Sequence, residues 1–525
     1  MTPARHPVSR RTALLAVTAG GAAAALAACG RDRDTPAPTA APPTAIPPAF
    51  PLPVRVARDA SPEFRAVADA LVDAMRRHRI PGAALGILSG RREEHATFGV
   101  ASLSSLRPVT PDTLFQIGSI TKIYTATAIW RLVEQGTLSP EGLVRRYLRG
   151  LRLRDEQTAA RVTVNNLLSH TAGWYGDDIV DTGDDPDALG RYVDTRLPEA
   201  PQLFECGKFF SYNNSGCMVL GRLIETIANT DYNDALQRLV LGPLGLGGTV
   251  LDRGTVLRRP YADGHIAMPV NGRDAVVVAT PVWLPRCVDP AGGIWSTTRE
   301  VLRFARLHLG EQPAGQPPFL RPASLRAMQD PVVDVPGLDL KMGRNWFVQD
   351  VDGVRVILHD GDTPGQHAVL VAIPERRFAV VLLLNGQSGA EAGLAALDAA
   401  LGRYPGLSAL AGKVGLVRAL LAPADAPDFT VPRGELSAYA GSYADPGKVT
   451  TLRVSGSGLE STAELTPPPG SWQPALSPPP APGPTPVTFL APDSAAAGGM
   501  RLPFVRDGEG AVGWIGEGLR LRPRT

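Results

Sequence analysis

The sequence predicts an α+β domain followed by a small all-β domain, and three observations carry that reading. Apolar strand-like runs stand near both ends of the first 420 or so residues, with helical patterns between them, so one sheet must be assembled from distant parts of the chain. Beyond about residue 430, short strand-like pieces recur with glycine-containing turns, the signature of a sandwich or barrel. The chain is 525 residues long, 44% hydrophobic and 20% charged, which is ample for a large buried core.

The elements follow in order. Residues 1–29 begin with a charged stretch containing Arg10 and Arg11, continue through small and apolar residues, and end Leu26-Ala27-Ala28-Cys29. The stretch is too short and too rich in Gly and Ala for a stable membrane span, and it reads as a signal peptide of the twin-arginine type. Its last four residues resemble a bacterial lipobox. That resemblance implies lipidation at Cys29 and a protein held through its lipid at the outer face of the bacterial cytoplasmic membrane. Residues 30–57 are rich in Pro, Ala and Thr without hydrophobic period, and suit an extended tether.

Globular patterning starts near residue 58. SPEFRAVADALVDAMRRH places Phe64, Val67, Leu71 and Met75 at helical spacing. PGAALGILSG and EHATFGVAS read as a hairpin, and residues 119–245 are mostly helical in pattern. HAVLVAIP and FAVVLLLN, separated by Glu375-Arg376-Arg377, read as adjacent buried strands. A helical segment at 389–421 closes this domain, 58–421, and a linker follows at 422–432. The all-β domain spans 433–525 and contains a Pro-rich loop at 467–486. Past the signal the cysteines are Cys206, Cys217 and Cys287; export would permit a disulfide, for which Cys206 and Cys217 are the nearest pair in sequence, and at least one thiol stays free.

Charge excludes some functions. Basic and acidic residues number 53 and 51, so nothing points to nucleic acid. Eight histidines and four cysteines show no paired zinc-ligand spacing, and no G-x-G-x-x-G opens a helix, so neither metal nor cofactor is implied.

Only five lysines occur, and one of them, Lys122, stands three residues after Ser119 at the start of an apolar-faced helix. Residues i and i+3 share a helix face, so the amine can reach the hydroxyl and accept its proton. With 23 serines and five lysines, about 0.2 such S-x-x-K motifs arise by chance. The alternative is a capping serine beside a surface lysine. Two further motifs follow: Tyr212-Asn213-Asn214 before a second amphipathic helix, and His359-Asp360-Gly361 at the mouth of the first apolar strand. Singly each passes as a polar loop or turn; in this order they do not.

S-x-x-K, Y-x-N and H-x-G, with TLFQIGSITK, NNLLSHTAGW, SYNNSGCMVLG, PAGGIWSTTREVLRFA and HDGDTPG around them, resemble the serine β-lactamase/penicillin-binding-protein superfamily across about residues 60–390. The closest branch holds class C β-lactamases, D,D-peptidases and esterases. The resemblance implies a β-lactamase/transpeptidase-like fold, an antiparallel sheet flanked by helices plus an all-helical region. AYAGSYADP and VRDGEGAVGWI resemble the lipocalin-like domain appended to some members. Carried onto this chain, Ser119 is the acylated nucleophile, Lys122 its proton acceptor, and Tyr212 the proton shuttle, its phenol pKa lowered by nearby cations. Asn214 bonds Lys122 and the substrate amide. His359 takes the place of the family's usual lysine on the strand edging the cleft. The N–H groups of Ser119 and Asp362 form the oxyanion hole, where one donor is typically worth about 3–4 kcal/mol. Gly361 and Gly365 admit substrate to the strand, and His170 is structural.

His359 departs from the β-lactamase pattern, in which lysine supplies a permanent cation for the substrate carboxylate. Histidine is mostly neutral at pH 7 unless a carboxylate raises its pKa, as Asp360 or Asp362 could. The leading expectation is a serine hydrolase acting on an ester, amide or D-amino-acid peptide. A class C-like β-lactamase and a non-catalytic lipoprotein that binds cell-wall fragments are the alternatives. The substrate is a small molecule or peptide; oligomeric state is not legible.

Overall fold

The computed structural model describes residues 54–270, 273–312, 317–423, 429–456, 458–472 and 483–525. The signal segment with Cys29, most of the tether, and parts of the linker and the Pro-rich loop lie outside the described residues. The first domain is built on a nine-stranded antiparallel sheet. Its strands are β1 (Val54–Val56), β2 (Gly82–Ser89), β3 (Arg92–Gly99), β4 (Val333–Asp334), β5 (Lys341–Met342), β6 (Phe347–Val351), β7 (Val354–Thr363), β8 (Gln366–Ile373) and β9 (Phe378–Leu384). Their spatial order is 1-3-2-9-8-7-6-5-4, so the N-terminal hairpin pairs with the last strand, Leu382 opposite Leu85.

Both faces of this sheet are covered, which explains the unbroken apolar runs. In β8, Ala368, Leu370 and Ala372 enter a core shared with helix α2 (Thr121–Glu134), whereas Val369, Val371 and Ile373 enter a second core on the opposite face. That second core is closed by α1 (Pro62–His78) packed on α4 (Gly389–Arg403). Helix α1 starts where Ser61 accepts from the Phe64 N–H with Pro62 in the first turn, and it stops at Arg79 in the left-handed region. Between α2 and α3 (Asn214–Ala228) the chain forms only short helices joined by irregular segments, fewer regular turns than the sequence pattern suggests.

One strand differs from expectation. His359-Asp360-Gly361 lies within β7 rather than at the mouth of β8, because pairing with β8 (His359 opposite Leu370, Gly361 opposite Ala368) overrides the poor strand preference of Asp and Gly. Strand β6 covers the other side of β7 only as far as Leu358. Residues 359–363 therefore keep an open edge.

The second domain is an eight-stranded antiparallel meander: β10 (Gly441–Asp445), β11 (Lys448–Ser455), β12 (Gly458–Leu465), β13 (Thr485–Ala491), β14 (Ser494–Ala497), β15 (Met500–Arg506), β16 (Val512–Glu517) and β17 (Arg520–Pro523). It nearly closes into a barrel, since Arg524 bridges Tyr443 and the Thr525 N–H donates to Ser442 O at 2.9 Å. Tyr443, Leu452, Phe489, Phe504 and Ile515 fill it. Cys206, Cys217 and Cys287 are free thiols. Among the described residues no helix is long and apolar enough to cross a membrane, and no cluster of His, Cys, Asp and Glu could hold a metal ion.

Candidate active site

Ser119 sits in a 3-10 turn, Gly118–Ile120, that runs directly into α2. Gly118 has φ +51, and a Cβ there would lie 2.8 Å from Asp362 N. A Cβ on Gly361 would overlap the Ile117 carbonyl and lie 2.9 Å from Ser119 N. The open edge of β7 thus meets the Ser119 turn backbone to backbone, a fit that requires glycine at both points. The two-residue turn Pro364-Gly365 makes Thr363–Gln366 a hydrogen-bonded pair, so Asp362, one step back, turns its N–H away from β8. The outward N–H of Asp362 consequently lies against the turn that carries Ser119 and its own N–H.

Lys122 is the second residue of α2, one turn after Ser119, and is fully buried. Its Nζ donates to Ser119 Oγ at 3.0 Å and to the Ala291 carbonyl at 2.7 Å. Its pKa is lowered from 10.5 to about 8, chiefly by burial and also by Arg520, while Cys217 and Asp177 pull the other way.

Tyr212 immediately precedes the N-cap of α3, Asn213, whose side chain accepts from the Gly216 N–H. Its ring stacks on His170 at 4.6 Å, and both Lys122 Nζ and the Arg520 guanidinium stand 4.9 Å from its centroid. The expected depression of its pKa is not found. Burial drives the phenol up, and its hydrogen bond to Ser119 and the charge of Arg520 offset this only in part, so it stays protonated. His170 serves as a brace: its Nδ1 accepts the Asn213 N–H at 3.0 Å.

Asn214 does not bond Lys122. Its Nδ2 donates to Asp177 Oδ1 at 2.7 Å, and Asp177 is held in turn by Arg520, whose Nε donates to Oδ2 at 2.7 Å. Burial would raise the Asp177 carboxyl, but Arg520 and Asn214 outweigh it and keep it below the usual range. The carboxylate captures the amide because it can only accept, and it satisfies two Asn214–Arg520 donors at once.

His359 is also corrected. Neither Asp360 nor Asp362 charges it: its Nδ1 contacts the Asp360 carbonyl at 2.6 Å, and the Asp362 side chain accepts from His367 Nδ1 at 2.8 Å. Burial, reinforced by Lys122, drops its pKa to about 3. A carbonyl only accepts, so Nδ1 carries the proton and the buried, unpartnered Nε2 offers a lone pair.

The Beta-lactamase family profile matches residues 67–403, about two thirds of the chain. This chain belongs to the β-lactamase family. It is 35% identical over 325 residues to penicillin-binding protein 4 of Amycolatopsis lactamdurans, covering 60% of this chain and 83% of that one. It is 33% identical over 233 residues to esterase EstB of Burkholderia gladioli, covering 41% and 58% respectively. The crystal structure of SurE shares its fold over 88% of this chain and 99% of that one, at a TM-score of 0.66 and 24% identity.

Within this member of the β-lactamase family, the structure brings Ser119, Lys122, Tyr212, His359, Gly361 and Asp362 together as the sequence suggests, with Asn214 reached through Asp177. Sequence reasoning missed Asp177 and Arg520. Asp177 stands in a run of acidic residues that reads as a solvated loop, and Arg520 lies 343 residues away on the barrel.

Proposed function

We propose that this chain is an exported serine hydrolase that works through a Ser119 acyl-enzyme on ester, amide or D-amino-acid peptide substrates. The observation that carries the reading is the buried Lys122 amine, 3.0 Å from Ser119 Oγ with its pKa lowered to about 8. In its neutral form Lys122 takes the hydroxyl proton as Oγ attacks the substrate carbonyl. The carbonyl oxygen, now anionic, is received by the N–H groups of Ser119 and Asp362. The bond to the leaving group breaks as that group takes a proton from the Tyr212 phenol, and the Lys122 ammonium returns one to Tyr212. Water then enters by the reverse path and frees the acid. Kinship to a penicillin-binding protein and an esterase supports this substrate range.

His359 argues against β-lactams as the main substrate. A neutral Nε2 lone pair suits a substrate N–H or O–H, and gives no cation for a carboxylate. A class C-like β-lactamase is the second reading. A fluorescent fluorophosphonate and a fluorescent penicillin, with adducts located by mass, test both. Wild type is expected to carry the fluorophosphonate on Ser119 and Ser119→Ala to carry none; labelling that survives the substitution removes the nucleophile assignment. Rapid turnover of the penicillin adduct would favour the β-lactamase.

The same proposal places the domain on a membrane through a lipid at Cys29. Cys29→Ser is expected to move the protein from the detergent phase of a Triton X-114 partition to the aqueous phase; no change of phase would count against the anchor.

A further inference from the structure

The barrel reaches the catalytic motif itself. The Tyr212 N–H donates to Leu519 O at 2.8 Å, and the Leu521 N–H donates to Ser211 Oγ at 3.1 Å, so the residues flanking Arg520 grip the backbone of the Y-x-N segment. Between them the Arg520 side chain, 23% exposed, forks onto Asp177, with Nε 2.7 Å from Oδ2 and one terminal nitrogen 3.2 Å from Oδ1. The next residues are held from the same side: Ser471 Oγ donates to Asp178 Oδ1 at 3.1 Å and the Trp472 N–H to Ile179 O at 2.6 Å. Trp514 closes the contact, its Nε1 3.1 Å from Leu203 O and its ring against Phe209 at 5.1 Å.

We propose that the C-terminal barrel is a working part of the catalytic site, with Arg520 as a positioning residue that acts through Asp177 on Asn214 and through charge on Lys122 and Tyr212. The inference rests on the reading of Ser119 as nucleophile and Lys122 as proton acceptor. Two physical arguments carry it. Asp177 only accepts, so it fixes the sense of the Asn214 amide: Nδ2 is committed and Oδ1 is left for substrate. Arg520 in turn fixes the carboxylate with a two-pronged, planar contact that a lysine cannot copy.

The charges around Lys122 give a direction for the test. Facing it are Tyr212, Cys217 of α3, His170, His359 of β7, and the Asp177–Arg520 pair. On the barrel side, Asp445 and Glu517 are paired with Arg522, and Glu517 also with Lys448; Tyr175 lies against Asp177. Arg520 disfavours a proton on Lys122 and Asp177 favours it. Removing the guanidinium leaves Asp177 uncovered, so both changes favour the ammonium.

The experiment is the pH profile of kcat/KM for a p-nitrophenyl ester with the full chain, each variant first checked by thermal melting. Arg520→Met is expected to raise the midpoint by about half a pH unit or more, and to lower the rate at pH 7 at least about threefold. Arg520→Lys keeps the charge and is expected to restore the midpoint without restoring the full rate. Asp177→Asn is expected to move the midpoint down while raising KM for an aminoacyl amide. Wild-type midpoints in Arg520→Met and Asp177→Asn overturn the inference, as does equal damage in Arg520→Met and Arg520→Lys with an unmoved midpoint. Should Arg520→Met not fold, Asp177→Asn decides alone. A Ser119 adduct in wild type secures the underlying reading separately, and its absence overturns both.

Discussion

The proton on Lys122 gives the sharpest prediction. In the proposed mechanism acylation requires the neutral amine, and with a pKa of about 8 about a tenth of the molecules carry it at pH 7 and about nine-tenths at pH 9. Thus kcat/KM should rise about tenfold between those values and then level off. A lysine at its ordinary 10.5 would still be gaining about tenfold per pH unit at pH 9. Stability carries the same signature with a defined sign. The unfolded chain keeps this proton up to 10.5 and the native protein only to about 8, so the wild type gains stability as pH rises through that window, and below it bears a charged, buried amine. The difference corresponds to about 3 kcal/mol at full effect. Lys122→Met removes that cost at pH 7 but also the bonds from the charged amine to Ser119 and Ala291, worth together about 3 kcal/mol or more. The variant should therefore be inactive, and its stability relative to wild type should fall by about 2–3 kcal/mol between pH 7 and pH 10. Urea unfolding of both proteins from pH 7 to 10, beside ester hydrolysis over the same range, measures it. A rate profile flat from pH 6 to 9, or a Lys122→Met protein less stable at pH 7 than at pH 10 relative to wild type, would refute the reasoning.

Two other outcomes are expected. Gly361→Ala places a Cβ onto the Ile117 carbonyl, so ester hydrolysis should fall at least about 100-fold, with about 1–3 kcal/mol lost in urea unfolding; wild-type values would mean the two backbones are not in contact. His359→Lys supplies the cation that the site lacks, and the ratio of nitrocefin to p-nitrophenyl ester kcat/KM should rise about tenfold, which is the effect of about 1.4 kcal/mol. An unmoved ratio in a folded variant would separate His359 from substrate choice.

Legibility of this protein in its sequence follows the range of the interactions concerned. Ser119 and Lys122 are neighbours on one helix face, so three residues of spacing suffice to join them. The β2–β3 and β8–β9 hairpins are equally local, and the unbroken apolar runs of β8 and β9 report two covered faces. The role of β7 was harder to read, because a strand containing Asp360, Gly361 and Asp362 is held by partners rather than by its own preference.

What the sequence by itself determined is therefore the parts and their order: a serine beside a rare lysine, a tyrosine before a cap, an H-x-G before a buried strand, and a terminal β domain. Tertiary structure alone decided the state of those parts. Burial, which no motif encodes, lowers the pKa of the Lys122 amine, keeps Tyr212 a phenol and holds His359 neutral. A backbone carbonyl, not a flanking carboxylate, faces His359 Nδ1. The barrel's Arg520 reaches Asp177 across 343 residues because closing the β-meander brings β17 against the Tyr212 segment, a proximity set by packing rather than by any local pattern.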